Sequence, residues 1–129
     1  MTTFLRTTLV VAALMTALGA WIFAVPGAEV GQRYDLPTDA PVLYRALLSV
    51  ILALFAGVYG WMAAQATAVR PLLWLGAIGK GGAFLTALAL FASGQISAGP
   101  VTMLAGDGVL STIWAVWLLR TRQPVGAPT

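Results

Sequence analysis

The chain has 129 residues, no cysteine and no histidine; 60% of its side chains are hydrophobic and only 9% charged. The missing residue types exclude disulfides, a thiol nucleophile, a Ser-His-Asp triad, histidine-ligated haem and the usual zinc sites. Seven basic residues stand against four acidic ones. They form no cluster interleaved with aromatics, so nucleic acid is not the partner they imply, and with a mean hydropathy of +0.90 they read as the topology signal of an integral membrane protein.

Four apolar stretches follow one another, each near the 20 residues that a helix needs to cross roughly 30 Å of hydrocarbon. The first runs over about 7–25 and ends at Pro26-Gly27. It also fits a signal-peptide pattern, Arg6 followed by an apolar core and small residues from Ala24 to Ala28, although the apolar run is long for one. Residues 26–40 form a polar loop holding Glu29, Asp35 and Asp39. The second stretch covers about 41–65 and the third about 71–91, with Pro41 and Pro71 at helix starts, where a missing N–H is harmless. Ser93 to Pro100 is a turn signal, and the fourth stretch covers about 99–119. The alternative is three spans, with Gly81–Gly106 as a single one. It strands the apolar stretches on either side in water.

The predicted fold is all-α: an integral membrane antiparallel four-helix bundle over 1–122, with a disordered tail at 123–129. The short connections make consecutive helices adjacent. Arg6, Arg70, Arg120 and Arg122 fall at one end. Arg33 and Arg45 fall at the other, diluted by the three acids of the loop. The positive-inside bias then puts both termini in the cytoplasm, in a bacterial inner membrane. Trp21, Trp61, Trp74 and Trp117 sit near helix ends and read as interfacial anchors.

Lys80 and Asp107 interrupt the third and fourth stretches. An ionisable group at mid-membrane costs at least roughly 2.5–3.5 kcal/mol. Lys80 lies roughly 13 Å from the cytoplasmic end of its helix and Asp107 roughly 18 Å, at 1.5 Å per residue. The two therefore pair across the third and fourth helices. Two readings of the pair stand: a clasp that fixes helix register, or a ligand, proton or ion site. Gly79, Ala83 and Ala87 form a ridge of small residues suited to close helix packing. Ser111 follows Asp107 by one turn, within hydrogen-bonding reach, and Trp114 shares its face.

On the second helix Arg45, Ser49 and Tyr59 share a face. Arg45 either snorkels to the outer headgroups or meets Asp107 or a loop acid from above. In the second case a cavity with net positive charge suits an anionic or carbonyl-bearing amphiphile. The residues Gly76-Ala77-Ile78-Gly79-Lys80 and Gly106-Asp107 resemble those of small, functionally uncharacterised four-span bacterial membrane proteins. These carry Gly-x-x-Gly-Lys in helix three and an acid or amide after a small residue in helix four. The resemblance implies a four-helix bundle and carries over no activity.

The leading expectation is a non-enzymatic protein organised around Lys80 and Asp107, with Arg45, Tyr59, Ser49, Ser111 and Trp114 around them. It binds something lipophilic, associates with membrane lipids, or docks as a homo-oligomer or within a larger membrane complex, with no cofactor or metal. Two other readings are a small transporter or proton-coupled carrier using Lys80 and Asp107, and a lipid-modifying enzyme. In the enzyme Lys80 acts as base or Schiff-base amine, assisted by Tyr59, Asp107 or Ser49.

Overall fold

The computed structural model describes residues 1–25, 27 and 29–121; the tail expected at 123–129, and Arg122, lie outside them. Among the described residues the chain is helical with no strand, in the order α1 (Thr3–Ala24), α2 (Glu29–Arg33), α3 (Val42–Ala64), α4 (Arg70–Ala92) and α5 (Ala98–Arg120). All but α2 are long and apolar enough to cross a membrane. Twenty-three residues rise about 34 Å in each of α3, α4 and α5. The four-span reading therefore holds, and the turn that splits 81–106 lies where the sequence places it.

Local chemistry sets the helix ends. Thr2 caps α1, its hydroxyl accepting from the Leu5 N–H at 3.3 Å. Pro41 precedes α3, and Pro71 occupies the first turn of α4. Gly94 ends α4 in the left-handed region (φ 74°), and Ser97 caps α5, with Pro100 tolerated in its first turn. The polar loop after α1 holds the five-residue α2.

The packing is uneven. α1 lies against α3, and α4 against α5, each along much of its length; α1 and α5 touch more sparingly, so the helices form an arc in the order α3–α1–α5–α4. Consecutive helices are therefore not all neighbours, as the short connections had suggested: α3 and α4 join through a short turn yet make little close backbone approach. We call the end with the α3–α4 turn the lower end, and the end with α2 and the α4–α5 turn the upper end.

A core fills the lower half. Leu5, Leu9 and Ala12 of α1 meet Tyr59 and Met62 of α3, Leu73 and Ala77 of α4, and Leu110, Trp114 and Leu118 of α5. Between helices in a membrane such contacts act through van der Waals packing and hydrogen bonds rather than release of water. Trp114, fully buried, donates from Nε1 to Thr8 Oγ1 at 2.9 Å, tying α5 to α1. Gly76 makes room for this: a Cβ there would sit 2.9 Å from both the Tyr59 and the Trp114 ring. At the lower rim Arg70 donates to the Leu118 and Thr121 carbonyls, at 2.8 and 2.9 Å. It thereby satisfies open acceptors at the C-terminus of α5 and complements the dipole there. Its guanidinium also lies over the Trp117 ring.

At the upper end a strap joins the two helix pairs. Ser97 donates to Asp35 Oδ2 at 3.0 Å, and Gly99 lies so close to the Tyr34 carbonyl that no side chain fits there.

Gly76→Val forces the Tyr59–Trp114 contact apart, and overpacking of this kind costs about 1–3 kcal/mol. Its unfolding midpoint in detergent is expected to fall clearly below that of the unaltered protein. Gly82→Ala, where a Cβ meets nothing within 4 Å, is expected to hold or raise the midpoint by helix propensity of up to about 1 kcal/mol. Equal losses in the two variants would show that the aromatic contact is not the constraint.

Candidate functional site

Lys80 and Asp107 lie midway along α4 and α5. Lys80 Nζ is 2.5 Å from Asp107 Oδ1. The ammonium also donates to Thr16 Oγ1 of α1 at 3.1 Å and lies 5.4 Å from the centre of the Tyr59 ring of α3. One buried cation therefore draws a partner from each of the other three long helices: a carboxylate, a hydroxyl and an aromatic face. Lys80 is 6% exposed and Asp107 19%, so the carboxylate is the more open member of the pair.

The openness has a location. Above the pair the two helix pairs diverge around a cleft of about 520 Å³. Lys80, Asp107, Thr16 and Tyr59 form its floor. Leu52 and Phe55 of α3, Gly79 and Ala83 of α4 and Leu104 of α5 are among its walls, and Tyr34 of the strap overlies it. The volume lies within the roughly 300–1,000 Å³ of small-molecule sites, and mainly apolar walls with a few convergent polar groups are the usual make-up of such sites. Below the floor the core is closed by Tyr59, Trp114 and Leu110.

The other predicted residues divide. Tyr59 belongs to the floor, its ring tilted 53° against Trp114 at 5.4 Å between centres. Trp114 supports that ring from below and does not line the cleft. Ser111 does not bond to Asp107 as its spacing suggested. Its hydroxyl donates to the Ala77 carbonyl at 2.7 Å, because Gly81 lets α5 come so close that the serine reaches the backbone of α4. Ser49 bridges α3 to α1 through the Ala20 carbonyl at 2.7 Å, outside the cleft, so the serine-assisted lysine of the enzyme reading is not assembled. Arg45 donates from Nε to the Ala40 carbonyl at 2.9 Å and packs beside Leu36 and Pro37 under the loop. It meets neither Asp107 nor a loop acid, so of its two readings the one that placed a second cation in the cavity fails, and the floor carries one cation and one anion.

The small-residue ridge divides: Ala87 is buried, whereas its other two members open onto the cleft. A Cβ on Gly79 would meet nothing within 4 Å; Gly79 and Ala83 hollow out the cleft wall rather than seat a helix. The close approaches of α4 and α5 fall at Gly81, beneath Ser111, and at Gly108, beneath Phe84. Thr16 and Thr8 were not anticipated from the sequence. Their signal was the spacing Thr8-Ala12-Thr16-Ala20, a small and polar stripe at every fourth position of α1.

No protein-family model matches the chain, and no curated protein or solved structure does either.

Removing one member of the pair leaves the other uncompensated at the floor, where such losses run to about 3–5 kcal/mol. Lys80→Met and Asp107→Leu are each expected to lower the unfolding free energy in detergent by this order. The double variant Lys80→Met/Asp107→Leu should recover most of the loss. Thr16→Val, which removes one hydrogen bond to a charged donor, should cost about 1.5–3 kcal/mol. Additive single and double losses would show that the two charges do not depend on each other.

Proposed function

We propose that the protein is a non-enzymatic, multi-pass protein of a bacterial inner membrane that binds a lipophilic molecule in the cleft above Lys80 and Asp107. The observation that carries this reading is the cleft itself: about 520 Å³ of mostly apolar space with its polar groups gathered at one end. That division matches an amphiphile, with hydrocarbon against the walls and a polar head at the floor. The orientation we propose puts the lower end in the cytoplasm, with Arg6, Arg70 and Arg120, and the acid-bearing loop outside.

The carrier reading is less well supported. Alternating access needs a route past the pair, and the space beneath it is filled by Tyr59, Trp114 and Leu110. The cleft also meets its surroundings sideways, because α3 and α4 do not close against each other there. A ligand that already resides in the bilayer has that route.

Protein purified in mild detergent should carry an enriched lipid, detected by mass spectrometry. Ala83→Trp, which fills the cleft from an exposed wall position, should remove that lipid without lowering the unfolding midpoint. Enrichment unchanged by Ala83→Trp would sink the reading. Because the chain has no cysteine, single cysteines report topology cleanly. Gln32→Cys should react with an impermeant maleimide in intact cells, and Thr67→Cys only after lysis; the reverse pattern would invert the orientation.

A further inference from the structure

The floor of the cleft also selects a head group, on the premise that the cleft is the binding site proposed above. The Lys80 ammonium already has Asp107 Oδ1, Thr16 Oγ1 and the Tyr59 ring around it. Two polar atoms at the floor have no hydrogen-bond partner among the described residues. Asp107 uses only Oδ1, which leaves Oδ2 as an open acceptor on a partly exposed carboxylate. The Tyr59 hydroxyl makes no hydrogen bond either; the side chain lines the same space, with its oxygen at the edge beside Gly76. Arg45 lies outside the cleft, beside Leu36 and Pro37, so no further cation tips the balance of one positive and one negative charge.

Each kind of head group meets this floor differently. A carboxylate or phosphate enters beside Asp107 and finds the one cation already paired; burying a charge without compensation is strongly unfavourable. An ammonium head finds Lys80 beside it. A carbonyl accepts from Tyr59 and leaves Asp107 Oδ2 unmet. A hydroxyl donates to Asp107 Oδ2 and accepts from Tyr59, satisfying both open positions with no net charge. We propose that the cleft takes a neutral, hydroxyl-headed lipid, its O–H on Asp107 and Tyr59 and its hydrocarbon along Leu52 and Phe55. This replaces the anionic or carbonyl-bearing amphiphile that the sequence suggested when Arg45 was counted into the cavity. Two sources share this chemistry: a long-chain alcohol and the free hydroxyls of a glycerolipid.

Native mass spectrometry of the delipidated full-length protein in detergent, with four lipids of matched chain length, tests this. The four are a fatty alcohol, a monoacylglycerol, a fatty acid and an alkylamine. One or both hydroxyl lipids should bind about tenfold or more tightly than the acid and the amine, since a hydrogen bond to a charged acceptor is worth at least that factor. The tighter of the two identifies the source. Asp107→Asn should abolish the preference over the acid. Tyr59→Phe, which keeps the ring against Trp114 and Lys80, should weaken the hydroxyl lipids severalfold and leave the acid unchanged. An acid or amine that matches the hydroxyl lipids on the unaltered protein overturns the head-group assignment alone. Binding of none of the four overturns that assignment and the binding function together.

Discussion

A primary ammonium in the middle of an apolar bundle is the constraint on which the rest of this structure depends. Lys80 cannot be left bare at that depth, and it is not: α5 supplies a carboxylate, α1 a hydroxyl and α3 an aromatic face. The four long helices therefore converge at one level. Below it they are sealed by the Tyr59–Trp114 contact and its leucine surround. Above it nothing forces α3 and α4 together, and they part. The glycines serve the same convergence. Gly76 admits the two rings, and Gly81 and Gly108 let α5 come near enough for Asp107 to reach the lysine.

A structural clasp and a functional site are compatible readings of one pair. The pair fixes the register of α4 against α5, and it is also the floor of the cleft. A buried ion pair gives weak net stabilisation compared with well-packed apolar side chains. One whose carboxylate stays partly exposed supplies what an apolar substitute would not, namely a free carboxylate oxygen at the end of an apolar cleft.

The sequence made the helices legible because hydropathy, prolines at helix starts and the glycine–serine turn all speak of local structure. Lys80 and Asp107 were legible because charge in an apolar run is rare, and equal depth on successive antiparallel helices points one at the other. What escaped was mostly relational. Thr16 is an ordinary residue by type and becomes a partner only because α1, not α3, sits beside α5. Ser111 has two acceptors within reach, and helix spacing alone cannot say that Gly81 brings the nearer one from another helix. The glycines show the same limit. A small residue marks either a close contact or a hollow, and Gly79 and Gly81, two positions apart, are one of each. The sequence left two readings of Arg45 open because the loop's short helix, which lies over it, carries too few residues to give a periodic signal.

The uneven core has a mechanical consequence. Free energies of local opening follow the density of buried contacts, and here that density falls from the lower half to the upper. The upper ends of the two helix pairs are joined by little more than the Ser97–Asp35 hydrogen bond and the seat of Tyr34 on Gly99. The molecule is built like a spring clip, with its hinge in the aromatic core and its jaws at the strap. Stiffness is thereby concentrated at the level of Lys80, and the strap end is the more readily opened.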